Sequence, residues 1–131
     1  MRYALICLSA FAVCGAALAQ GADYAPPPMS PIQPAVDPAS LSDPAQRRGH
    51  EVFGKWCSAC HGDAPGMPGT QALEAKYGGQ IPALVEERAD LTPELVEFYV
   101  RNGISVMPHF RKTEISDADL DDLSAYLTRD R

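Results

Sequence analysis

Cysteine is scarce in this chain: four residues in 131, and two of them, Cys7 and Cys14, sit in the apolar N-terminal stretch. The remaining pair, Cys57 and Cys60, would close too small a loop to staple a fold. A disulfide framework of the kind small exported domains use is therefore excluded, and the pair is left for chemistry or for holding a cofactor. Basic residues are in the minority, 11 Lys and Arg against 17 Asp and Glu, for a net charge of −6. That balance excludes nucleic acid as a partner, since binding it needs clustered cations. Alternation with period two is missing over any useful length, so no substantial sheet is expected. No apolar run reaches the ~18–20 residues needed to cross a bilayer.

What the N-terminus does contain reads as an export signal over residues 1–19. Arg2 supplies the positive start, Ala4 to Gly15 form an apolar stretch broken only by Ser9, and Ala17-Leu18-Ala19 is a small-x-small cleavage site ahead of Gln20. Cys14 is not in a lipidation context, because Phe11-Ala12-Val13 lacks the small residue expected just before a lipidated cysteine. The expected product is an exported, periplasmic protein with no membrane span after cleavage; an uncleaved N-terminal anchor is the alternative. Residues 20–42 follow as a Pro-rich linker carrying Pro26, Pro27, Pro28, Pro31, Pro34 and Pro38. Such composition favours extended conformers and buries little, so it reads as a spacer, with a tail wrapped on the domain as the alternative.

One domain is expected over 43–131, all-α. Asp43-Pro44 places a preferred N-cap before a preferred first helical residue. Gly49, Phe53 and Cys57 then recur every four residues on one helical face. A glycine inside a helix is costly against alanine, which points to a close helix–helix crossing there. Thr70 is expected to cap a short helix through Leu73 and Tyr77, ended by Gly78-Gly79. Thr92-Pro93 repeats the earlier start signal before Leu95, Val96, Tyr99 and Val100, and Asn102-Gly103 ends that helix. Ser116-x-x-Asp119 resembles a capping box opening a last helix. Leu120, Leu123 and Leu127 mark the buried face of that helix, with Tyr126 beside them. The acidic run Asp117, Asp119, Asp121 and Asp122 reads as helix-N-terminal charge and a solvated face.

The chemistry is concentrated in Cys57-Ser58-Ala59-Cys60-His61, the pattern of covalent c-type haem attachment. Each thiol can add to one porphyrin vinyl group, and the adjacent imidazole can bind the iron. His61 is the first axial ligand expected, its second ring nitrogen held by a carbonyl from Pro65 or Pro68. Met107, followed by Pro108 in an irregular stretch between two helices, is the expected sixth ligand, with His109 its rival. Met67 lies too close to His61 to reach the opposite face, and His50 reads as a partly exposed helical histidine. Trp56 reads as packing beside the cofactor. Two other readings of the cysteine pair were weighed. A thioredoxin-type thiol pair belongs at a strand end in a βαβ unit, which is missing here. A zinc site built with His50 or His109 makes awkward use of the adjacent Cys60 and His61. A domain of about 90 residues is near the size where a core is marginal, and a buried haem would supply the missing apolar surface.

Together, Cys57 to His61, Met107-Pro108 and the terminal helices resemble a class I cytochrome c over residues 43–131. That resemblance implies crossing first and last helices, with Gly49 and Phe53 meeting Leu123 and Tyr126. It also implies one covalent haem c per chain, His61 and Met107 as its axial ligands, and one-electron transfer rather than catalysis. The loop Asp63-Ala64-Pro65-Gly66-Met67 departs from the family pattern. More narrowly, Val100-Arg101-Asn102-Gly103, Met107-Pro108 and Phe110 are similar to the cytochrome subunit of 4-cresol dehydrogenase and related 4-alkylphenol flavocytochromes. This similarity implies a flavoprotein dehydrogenase as redox partner. The rival activity is a haem enzyme or small-ligand sensor whose sixth iron position is open.

Overall fold

Proline, a capping side chain or both open four of the five α-helices among the described residues. In a computed structural model, which describes residues 32–130, α1 runs Pro44–Trp56, capped by Asp43 through the amide of Ala45 at 2.8 Å. The turn α2, Ser58–His61, follows at once. Next come α3, Pro68–Tyr77, and α4, Pro93–Asn102, the latter capped by the Thr92 hydroxyl. Last is α5, Asp117–Leu127, whose capping box of Ser116 and Asp119 is formed in full. No strand occurs among the described residues, only the isolated bridge between Ile104 and Met107. None of these helices is long and apolar enough to cross a membrane.

The first and last helices cross where the sequence predicts. A Cβ at Gly49 would lie 2.0 Å from the carbonyl oxygen of Asp122 and 2.7 Å from the Cβ of Tyr126, so only glycine lets α1 approach α5 this closely. Phe53 and Tyr126 pack beside that point with ring centroids 5.9 Å apart. Tyr126 is not a flanking residue, as its position suggested, but wholly buried. The space opened by Gly49 admits its ring, and its hydroxyl donates to the buried carboxylate of Glu86. Leu41, Val96, Val100, Ile115, Leu120, Leu123 and Leu127 complete the core with these two aromatics.

Two expectations are corrected. Residues 32–42 do not form a spacer: Leu41 lies in the core, Val36 packs against it, and the amide of Ala35 donates to Glu86 Oε2 at 2.9 Å. His50 Nε2 meets the carbonyl of Val36 at 2.9 Å, so the segment is a strap pinned to α1 as well. The apolar pair Val36 and Leu41 outweighs the extended bias of the prolines around it. Residues 20–31 of the expected linker, like the expected signal at 1–19, lie outside the described residues. Second, α3 begins at Pro68 with Met67 at its N-cap, not at Thr70, because the fixed φ of proline suits the first helical position. Its end at Gly78, in the left-handed conformation, is as predicted. The acidic run lies as expected, with Asp117 and Asp119 in the first turn of α5 and exposed, and it also carries ion pairs. Arg48 makes a two-pronged contact with Asp122, and Arg101 and Lys112 both reach Asp117.

Candidate functional site

The helix-to-turn passage at Cys57 builds the first half of the site. Cys57 ends α1, its amide bonded to the carbonyl of Phe53 at 2.8 Å. Its own carbonyl then accepts from the amides of Cys60 at 3.0 Å and His61 at 2.8 Å. Both thiols and the imidazole are thus fixed on one tight turn. The thiols are free, Cys57 half-buried and Cys60 exposed. Ser58 beneath them is buried and donates to the carbonyl of Gly54 at 2.7 Å, which keeps the turn stacked on α1.

Electrostatics separate the competing readings of this turn. Burial, followed by the nearby Cys60 and Glu86, pushes the Cys57 thiol up to about 12. A redox thiol pair depends on a thiol shifted the opposite way, toward a thiolate at neutral pH, which Cys57 is not, and no strand of a βαβ unit precedes the pair among the described residues. Among the described residues no group of three or more His, Cys, Asp or Glu side chains converges to hold a metal ion. The zinc reading therefore has no ligand set. Burial holds the imidazole of His61 below its ordinary value, which favours the neutral ring that coordinates iron. Its Nδ1 is buried without a hydrogen-bond partner. Neither Pro65 nor Pro68 supplies the expected carbonyl. Pro68 is the first residue of α3, and a carbonyl there points down the helix, into its ladder. Instead the first turn of α3 covers this edge of the ring at Gly69.

The second half comes from the connection between α4 and α5. Gly103 ends α4 with φ 67°, and a Cβ there would meet the carbonyl oxygen of Met107 at 2.6 Å and the amide of His109 at 2.9 Å. The chain folds back on itself as a tight loop, with Ile104 and Met107 exchanging backbone hydrogen bonds of 3.1 and 2.9 Å. Ser105 takes a positive φ of 53° at its tip. Met107 is half-buried in this loop whereas His109 is exposed, a difference that favours the thioether over its rival. Exposed apolar side chains flank it: Ile104, and Val106 at 83% exposure.

Arg101 anchors this loop, and sequence reasoning missed its role. Its Nη1 donates to the carbonyls of Phe110 at 3.1 Å and Ile115 at 2.9 Å, and its Nη2 to Asp117 at 2.9 Å. The only advance signal was a cation in the last turn of a helix, where it can serve orphan carbonyls. Phe110 also returns its amide to Val100 at 2.8 Å, and its ring meets Trp56 edge-on. The loop that carries Met107 is thereby joined to the residue preceding Cys57. Glu86 was missed as well, in the stretch 81–90 where no periodicity pointed to it. His50 and Met67 have structural duties, the first against Val36 and Tyr126, the second at the N-cap of α3.

Two free thiols and a partly desolvated imidazole on one turn, with a thioether presented from a separate braced loop, fit a covalently held porphyrin. Residues 44–127 match the family model described as cytochrome C oxidase, cbb3-type, subunit III. No curated protein and no solved structure matches the chain.

Proposed function

This chain belongs to the cytochrome c family, with residues 44–127 as its class I domain, and on that premise we propose that it is a periplasmic mono-haem electron carrier. The observation that carries the reading is the Cys57–His61 turn, where two free thiols and a half-buried, neutral-favouring imidazole lie within one hydrogen-bonded turn of the family's domain. Cys57 and Cys60 would hold the haem through thioether bonds. His61 would ligate the iron through Nε2, and Met107 would take the opposite position. Bound there, haem supplies a one-electron ferric/ferrous couple, with the methionine favouring the ferrous form.

The protein's own residues then do three things. The α1–α2 junction fixes the sulfurs and the imidazole relative to each other. Arg101, Phe110 and Gly103 brace the Met107 loop so that the thioether stays in place, which suppresses substrate binding at iron and makes electron exchange the natural activity. The core of Phe53, Tyr126 and the leucines of α5 excludes water from behind the site.

For the partner we propose a flavoprotein dehydrogenase of the 4-alkylphenol-oxidising type. Support comes from the run Val100 to Phe110, whose Arg101 and Phe110 are the residues bracing the loop. The protein purified from its native host should carry a mass increment of one haem and, when oxidised, the weak charge-transfer band of methionine bound to ferric iron. Absence of that band would favour the reading as an enzyme or sensor with an open sixth position. Copurification with a larger flavin-containing chain tests the partner; recovery as a lone monomer or within an oxidase complex counts against it.

A further inference from the structure

The first turn of α3 lies directly on the imidazole of His61. A Cβ built at Gly69 would fall 2.7 Å from Cε1 and 2.9 Å from Nδ1 of that ring, and 2.8 Å from the carbonyl oxygen of Cys60. None of these is the free end of a flexible side chain; they are a ring and a backbone held by the Cys57 turn. The backbone of Gly69 is not in the left-handed region, and the residue sits inside a helix where alanine would be favoured. Conformational freedom therefore does not explain a glycine here. Contact does.

Further observations tie α3 to this place. Pro68 fixes the helix start, and the hydroxyl of Thr70 donates to the carbonyl of Gly62, immediately after His61, at 3.2 Å. The Nδ1 edge of the ring is buried with no hydrogen-bond partner, so a packed wall stands where a hydrogen bond would otherwise orient the imidazole. The geometry points to Gly69 as a positioning residue for His61: its missing side chain sets the depth and rotation of the ring that ligates iron. This rests on the reading of His61 as a haem ligand. Rotation of an axial imidazole changes its overlap with the iron d orbitals, so the effect should be read in spectra and potential.

Gly69→Ala, matured with covalent haem, should show a changed spread of ferric g-values and a shifted midpoint potential. Gln71→Ala, at an exposed position on the same helix, should leave both as in the wild type. A Gly69→Ala protein with covalent haem and wild-type g-values and potential would overturn the proposal. A wild-type measurement keeps the test independent of whether that variant matures. In the reduced, diamagnetic protein, nuclear Overhauser contacts should join the ring proton on Cε1 of His61 to the α-protons of Gly69, and their absence would overturn the proposal by itself. Wild-type protein without covalent haem would overturn the ligand reading beneath it, a failure that mass spectrometry separates from the other two.

Discussion

The indole of Trp56 meets the ring of Phe110 edge-on, with centroids 5.9 Å apart and planes at 69°. Trp56 precedes Cys57, and Phe110 lies three residues beyond Met107. One aromatic contact thus couples the two halves of the site. Such pairs contribute about 0.5–1.5 kcal/mol beyond the area they bury. Phe110→Leu should loosen the Met107 loop by that amount and raise the affinity for added imidazole about two- to tenfold. Spectral titration of the ferric protein checks this, and an unchanged affinity would show that the contact does not hold the loop.

Met107 and His109 separate in a paired experiment. Met107→Ala should abolish the ferric charge-transfer band, open a site for imidazole or cyanide and lower the midpoint potential. His109→Ala, at an exposed position, should leave all three unchanged. A wild-type protein without the band, in which His109→Ala and not Met107→Ala opens the site and shifts the potential, would assign the sixth ligand to His109.

Gly49 tests the crossing of the terminal helices. An alanine methyl would overlap the Asp122 carbonyl and the Tyr126 side chain, so α1 and α5 must separate. Gly49→Ala should lower stability by about 1–3 kcal/mol or more, seen as a fall in the denaturant midpoint. Gly54→Ala, at 3.4 Å from Pro34, serves as the mild comparison.

Glu86 is 1% exposed and accepts from the Tyr126 hydroxyl and the Ala35 amide. Its removal takes away the acceptor of the buried Tyr126 hydroxyl, a loss of about 1–3 kcal/mol, whereas the amide of Ala35 lies on an exposed residue and can turn to water. Glu86→Ala should therefore destabilise the domain by about 1–3 kcal/mol and release the strap 32–42, read as faster hydrogen exchange at Ala35. A double-mutant cycle with Tyr126→Phe should return a coupling well above zero.

Asp117 gives a prediction in pH. The hydrogen bond from Lys112, and then the one from Arg101, holds its carboxyl below the ordinary aspartate value. A carboxylate depressed in the folded state adds stability above its unfolded value and loses it as pH falls through the folded one. Asp117→Asn should flatten the acid limb of a stability profile below about pH 4. The difference should shrink in high salt, since Asp117 and Lys112 are exposed. An unchanged acid limb would mean that the ion pairs carry no linked protonation.

Much of this fold is legible in the sequence because its signals are local. Asp43-Pro44, Thr92-Pro93 and Ser116-x-x-Asp119 each place a capping oxygen beside the first turn it serves, so their geometry follows from a few adjacent residues. Cys57 to His61 is likewise a single turn, and its chemistry is set by spacing. Gly49 with Phe53 announced a crossing because a glycine on an apolar helical face has few other reasons to be there. Tertiary structure alone decided the buried place of Glu86, the strap at 32–42, the clamp of Arg101 on Phe110 and Ile115, and the seat of α3 on His61. Each joins groups that no short-range pattern links: Glu86 meets Tyr126 forty residues on and Ala35 fifty-one residues back. A carboxylate in sequence has a solvated reading by default, and only a fold that delivers two donors to it in a dry interior makes burial the lower free energy.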